Sequence, residues 1–287
     1  MSEVAEEDLI ICVACGTQFD DPRQFVPPAG QQWTSLRREQ GKYENHWKQD
    51  ASDPRIWHLY TDPKLGIGER ASLLLTPHGN IIWDCFAYLS PSLIDFILSH
   101  GPVHAVIISH PHFYTTHLIW ARALSCPIYT HAADQQWLSR PDPLSHRRLI
   151  TTPTLDILPG VTAIQTGGHF PGSMVLHWQN HLFLADSIMT TPAAYTPEPR
   201  PQGMGAYSFM WSIPNMVPLG PDDVWAIWKA VRDRDFGVTH GLMMGMDVEH
   251  ADVKKWVLEG AKRQVRRMGW EGHEILEESV AGPDAEV

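Results

Sequence analysis

Hydrophobic and polar positions fall into short regular blocks from Glu69 onward, and before that no period of 2 or 3.6 is sustained. Pro27, Pro28, Gly30 and Gly41 punctuate the early stretch, so residues 1–57 read as an irregular extension that wraps the core. Ala71 to Thr76 predicts a strand. Pro77-His78-Gly79-Asn80 predicts a turn and Ile81 to Cys85 a second strand, together a hairpin. Ser90-Pro91 supplies an N-cap and a first-turn proline for a helix over Ser92 to Ser99, with Leu93, Phe96 and Ile97 on one face. Val103 to Ser109 is nearly all apolar, the mark of a strand covered on both faces. Thr115 or Thr116 opens a helix through Leu124, followed by a strand at Cys126 to His131 and a short helix at Ala132 to Leu138. Val161 to Gln165, Met174 to Trp178 and His181 to Ala185 predict strands of a second sheet. Asp222 to Arg232 and Val248 to Arg267 predict two closing helices. Alternating strands and helices argue for a layered α/β fold around one core.

Composition narrows the classes of partner. A hydrophobic fraction of 43% in 287 residues fills such a core, and a net charge of −11 repels phosphate backbones, so nucleic acid is not an expected partner. The longest apolar runs are too short for a bilayer, and Met1 to Asp8 is acidic where a signal peptide is basic, which predicts a soluble cytoplasmic protein. Four cysteines do not make a disulfide framework in a chain of this size. Cys85 and Cys126 read as core, and Cys12 and Cys15 as packed thiols. Oligomeric state is left open.

Sixteen histidines are more than a surface needs, and position selects among them. His110 and His112 directly follow the Val103 to Ser109 run. His169 follows Val161 to Gln165 and a Gly167-Gly168 turn, Asp186 ends Leu182 to Ala185, and His240 follows Phe236 to Val238. Loops after strand ends gather along one rim of a layered fold. His-Pro-His lets two imidazoles reach one ion from the same side. A third His and a carboxylate complete a shell that keeps an open water position, a catalytic composition.

Four segments, Ser109-His110-Pro111-His112-Phe113-Tyr114-Thr115-Thr116-His117, Gly168-His169-Phe170-Pro171-Gly172-Ser173, Ala185-Asp186-Ser187 and Thr239-His240-Gly241, stand in the order of the metallo-β-lactamase superfamily. The chain resembles that family over roughly residues 68–241. The resemblance implies a four-layer αββα sandwich, with residues 58–287 as the catalytic domain. It also implies that His110, His112, His169, Asp186 and His240 bind metal, and that metal-bound hydroxide attacks a carbonyl. Where the family's first motif has Asp and then His, this chain has Tyr114 and Thr115. One firmly bound zinc and a weak or altered second site are therefore expected, with iron as the alternative metal. Catalytic roles fall to Asp186 as base, Tyr114 and His117. Tyr114 either donates to a developing oxyanion or packs, and His117 either turns toward the metals or orients a ligand.

Met189 to Leu219, rich in Pro, Met and aromatic residues, reads as a pocket wall or a packed loop. As a wall it offers Tyr207, Phe209, Met210 and Trp211 to a small, neutral substrate. The Tyr-Thr-Thr-His-Leu variant, together with Cys12-Val13-Ala14-Cys15 before Asp21-Pro22-Arg23-Gln24-Phe25-Val26-Pro27-Pro28, resembles a fungal branch. Some members of that branch are described as lactamases opening small cyclic amides. A four-Cys zinc ribbon needs a second pair that this sequence lacks. Two other functions compete with hydrolysis: a mononuclear iron dioxygenase using His112, His169 and Asp186, and an inactive binding member of the fold.

Overall fold

A computed structural model of the chain describes residues 8–24, 30–201 and 203–280. Met1 to Glu7 of the acidic start, and Phe25, Val26, Pro27 and Pro28, lie outside them.

Seven strands lie side by side in chain order: β1 (Glu44–Gln49), β2 (Ile56–Asp62), β3 (Ala71–Thr76), β4 (Gly79–Trp83), β5 (Val103–Ile107), β6 (Ile128–His131) and β7 (Arg147–Ile150). They pair antiparallel up to β4 and parallel from there to β7. A second sheet holds β8 (Thr154–Leu158), β9 (Val161–Gln165), β10 (Met174–Trp178), β11 (His181–Phe183), β12 (Val238–His240) and β13 (Asp247–Glu249). Only its β11–β12 pair is parallel.

Alternation of side chains along these strands builds the layers. In the first sheet Leu73, Ile82 and Val106 turn outward into one apolar cluster with Leu93 and Ile97 of α1 (Pro91–Ser99) and Trp120, Ala121 and Leu124 of α2 (His117–Leu124). Their chain neighbours Leu74, Ile81, Ala105 and Ile107 turn the other way, against Ala163, Leu176 and Phe183 of the second sheet. Ile164, Val175 and Leu182 then face a third cluster, formed with α3 (Pro221–Val231) and α4 (Val253–Arg267). Three apolar interfaces between helices, sheet, sheet and helices make a four-layer αββα sandwich. Ser90 caps α1, its hydroxyl accepting the Leu93 N–H at 3.3 Å.

Several elements differ from the sequence reading. The stretch before residue 57 contains the whole of β1, a short pair of Ile10–Cys12 with Trp33–Ser35, and a one-turn helix at Leu36–Glu39. β7 and β8 escaped notice because each is an edge strand with solvent-facing residues, so neither shows an apolar run. The last helix begins at Val253, later than Val248, because Asp247–Glu249 pairs with β12. Met189 to Leu219 carries two short strand pairs, Met189–Thr190 with Tyr207–Ser208 and Met210–Ser212 with Val217–Pro218. All four cysteines are free and buried. No helix among the described residues is long and apolar enough to cross a membrane.

Candidate metal centre

The loop after β5, the turn after β9 and the residues after β11 bring four buried side chains together: His110, His112, His169 and Asp186. His112 Nδ1 lies 3.3 Å from His110 Nε2 and 3.1 Å from His169 Nε2. Asp186 Oδ2 lies 3.4 Å from His110 Nε2, 3.6 Å from His112 Nδ1 and 3.3 Å from His169 Nε2. A tetrahedral ion about 2.0–2.1 Å from each ligand requires edges of roughly 3.3 Å. Five edges of 3.1–3.6 Å match that figure. The donor set therefore fits one divalent ion.

Hydrogen bonds behind the ligands fix which nitrogen is bare. Asp21 Oδ2 sits 2.7 Å from His112 Nε2, so that nitrogen carries the proton and Nδ1 faces the centre as a lone pair. His110 Nδ1 meets Ser109 Oγ at 2.8 Å, which leaves its Nε2 for the centre. Asp84, in the left-handed region at φ 61°, accepts the Ser109 N–H at 2.7 Å and anchors the start of the ligand loop. Burial holds His169 down to about 3, a neutral imidazole. For Asp186 burial favours the neutral acid, yet the imidazoles of His110, His112 and His169 hold its carboxyl well below the usual range. His169 Nδ1 and Asp186 Oδ1 are buried without a protein partner among the described residues.

The N-terminal segment closes one side of this centre, a role that sequence reading did not assign. Arg23 pairs with Asp21 at 2.9 Å, donates to the His169 carbonyl at 2.7 Å, and lies 3.4 Å from the Phe170 ring centroid. Phe19 and Trp137 extend the apolar cover beside His112 and Phe170. The Asp-Pro-Arg triplet was the available signal, a carboxylate and a guanidinium two residues apart.

His240 falls outside the group and must be removed from the expected ligand set. It is the last residue of β12, in register with Phe183, where alternation turns its ring between the sheets and onto the Phe183 ring at 4.5 Å. Its neighbour Thr239 faces the helices and meets the Tyr207 hydroxyl at 2.6 Å. His240 instead gathers with Asp50, His58 and Asp247.

His117 does not turn toward the metal ligands either. Its Nδ1 donates to the Tyr114 carbonyl and its Nε2 accepts from Arg147 Nε at 2.8 Å, a fully satisfied neutral ring. Burial holds it down at about 3. Because this folded value lies below the ordinary 6.5, the unfolded chain binds the extra proton first. The stability contribution is complete above pH 6.5 and is lost as pH falls toward 3. His117→Gln, whose amide can make both bonds, is expected to show a flatter fall in urea-unfolding free energy between pH 7 and pH 4 than wild type. Equal slopes would reject this account. Tyr114 is buried in the outer apolar cluster, where burial pushes its hydroxyl well above the usual range, so it packs. Tyr207 and Phe209 are fully buried against α3 and α4 and leave the proposed wall. Met210 is half-buried, and Trp211, 37% exposed, lies 5.9 Å from the Arg23 guanidinium.

The layers and their connections define the class: this is a metallo-β-lactamase fold. The solved structure of TMB-1 superposes with a TM-score of 0.55 at 12% identity, covering 78% of this chain and 98% of that one. A metallo-β-lactamase from Pontibacter korlensis gives 0.52 at 13% identity, covering 78% and 99%. A flavo di-iron protein from Thermotoga maritima gives 0.54 at 12%, covering 77% of this chain and 61% of that one. At these identities the likeness is one of fold. No family model matches the chain. By sequence it belongs to the family of the uncharacterized protein YmaE of Bacillus subtilis (strain 168), 33% identical over 262 residues, covering 84% of this chain and 91% of the relative.

Proposed function

We propose that this chain is a metal-dependent hydrolase of a small, largely apolar carbonyl compound, foremost a cyclic amide (lactam) or a lactone. The observation that carries the reading is the cluster of four buried donors, three of them imidazoles, with five of their mutual separations at 3.1–3.6 Å, a spacing that suits a single zinc ion. Four inward-facing donors favour zinc over the three-ligand face of an iron dioxygenase. A divalent ion held there would supply Lewis acidity and, on expanding its shell to take a water beside the four donors, would lower that water's pKa from roughly 15.7 to about 7.

The chain's own residues supply the rest. His112, fixed by Asp21, and His110, fixed by Ser109, hold their lone pairs on the centre without reorganisation. Asp186 directs Oδ2 at the ligand cluster and keeps Oδ1 unpartnered, so Oδ1 can accept a hydrogen bond from the attacking water and relay its proton, while the low pKa that the imidazoles impose keeps it from retaining that proton. Phe19, Trp137 and Phe170 exclude water from the outer side of His112. Trp211 is left as the aromatic contact for the substrate, and the fungal-branch likeness of the Tyr114 to His117 segment supports cyclic amides as the first class to try.

Purified protein assayed for elements, then screened against lactams, lactones and thioesters with and without chelator, tests the reading. About one zinc per chain and turnover abolished by chelator are expected. Metal-free protein, or turnover indifferent to chelator, would overturn it. Trp211→Ala is expected to raise KM while leaving kcat near wild type, and a change confined to kcat would remove Trp211 from the substrate's path.

A further inference from the structure

A second polar cluster lies between the two sheets. From the first sheet come Asp50, just past β1, and His58 of β2; from the second come His240 of β12 and Asp247 of β13. His58 Nε2 is 2.8 Å from Asp50 Oδ2, and His240 Nδ1 is 2.9 Å from Asp247 Oδ1. The cross-pairs are 3.7 Å (His240 Nδ1 to Asp50 Oδ2) and 3.8 Å (His58 Nε2 to Asp247 Oδ1).

The surrounding bonds restrict what these four atoms share. Asp50 Oδ1 is occupied by Ser52 N, Ser52 Oγ and Asp53 N, which leaves Oδ2 for the imidazoles. His58 Nδ1 is 3.1 Å from Ser72 Oγ. On the other ring, His240 Nε2 meets His181 Nδ1 at 3.0 Å, and His181 Nε2 faces the Asp53 carboxylate at 3.4 Å. The arrangement that avoids setting a bare nitrogen against Asp53 puts a proton on His181 Nε2. His181 Nδ1 then accepts, and His240 Nε2 must donate. His240 Nδ1 consequently meets two carboxylates as either a lone pair or a second N–H. A lone pair beside two carboxylates, one nearly buried at Asp50 and one part-exposed at Asp247, is favoured only with a cation between them. Asp50, Asp247 and Arg70, which pairs with both oxygens of Asp247, sum to one negative charge when the rings are neutral.

We propose that Asp50, His58, His240 and Asp247 form a second, structural site for a divalent transition metal such as zinc, clasping the two sheets independently of the centre at His110. Two imidazoles and two carboxylates are a donor set for such an ion. His181 behind His240, Ser72 behind His58 and Arg70 behind Asp247 fix the ligands from outside, as outer partners do in metal sites. Asp247, with 31% of its side chain exposed, is the route of entry.

The test is stoichiometry. Metal-stripped full-length protein is dialysed against Zn2+, or Co2+ for its absorption bands, and ions per chain are counted. Two equivalents are expected for wild type, and one each for His58→Ala, for the isosteric Asp50→Asn and for His169→Ala. In the His169→Ala background, Zn2+ should still raise the melting temperature, and adding Asp50→Asn should abolish that rise. Wild type saturating at one ion that His169→Ala removes would overturn the proposal and leave a proton as the occupant between His240 and the carboxylates. Retention of both ions by Asp50→Asn would also overturn it. If instead His169→Ala keeps two ions while the Asp50 and His58 variants lose one, the reading of the first centre fails and this one stands.

Discussion

His169→Ala is expected to empty the centre at His110 and to abolish chelator-sensitive turnover, while His100→Ala changes neither. The His169 Nε2 donor stands 3.1 Å from His112 Nδ1 and 3.3 Å from Asp186 Oδ2, so its loss opens both of these edges of the donor cluster at once. The remaining His110, His112 and Asp186 offer an ion one donor fewer. The loss should exceed the roughly 10–100-fold weakening that follows removal of an outer partner alone. His100 ends α1 in the outer helical layer, where Nδ1 lies 3.0 Å from the Phe96 carbonyl, and it touches none of the four ligands. Ion counts per chain and a zinc affinity measured by competition with a chromophoric chelator check the result. Melting curves establish that the variant is folded. An unchanged affinity in folded His169→Ala would refute the assignment of the centre.

What the sequence discloses and conceals here follows from the range of the interactions concerned. β3, α1, β9 and β10 were legible because each carries its own local pattern, an unbroken apolar block or a capped helix with Leu93 and Ile97 on one face. His110, His112, His169 and Asp186 were legible because each lies within a few residues of the end of such a block, and strand ends of a layered fold converge. His240 sits at the same kind of boundary and misleads because the strand is two residues longer than its apolar stretch. β12 runs through His240 instead of stopping at Val238, and a strand's two-residue period then sends the ring inward. Tyr207 and Phe209 mislead similarly, because their aromatic character suits a pocket wall and a helix-facing core equally well until their neighbours are known. β1 carries Glu44, Asn45, His46, Lys48 and Gln49 around Trp47, so no apolar period announces an edge strand. Asp21 is the clearest concealed residue, since 91 positions separate it from the imidazole it serves.

Asp21→Asn is accordingly expected to weaken zinc binding at the first centre by roughly 10–100-fold, the usual consequence of losing the carboxylate behind a ligating histidine. The Asp21 carboxylate lies 2.7 Å from His112 Nε2 and 2.9 Å from Arg23 Nε, and burial there favours the neutral acid. His112 and Arg23 outweigh burial and hold the group below the ordinary carboxylate range. Asparagine preserves the shape and can still accept from His112, but it takes the negative charge away from an imidazole that must push electron density toward a cation. It also leaves Arg23, 7% exposed, without its counter-charge, so stability falls as well. The sign with pH is fixed. A carboxyl whose folded pKa is depressed contributes in full above the unfolded value near about 3.9 and loses that contribution as pH drops below it. The stability gap between wild type and Asp21→Asn should therefore be widest at neutral pH and shrink in acid. Affinity separates this role from a purely structural one. If Asp21 only tied the N-terminal segment down through Arg23, the variant would melt earlier, yet its folded form would bind zinc with the wild-type Kd. An unchanged Kd in the folded variant would therefore strip Asp21 of its part in holding His112 on the metal.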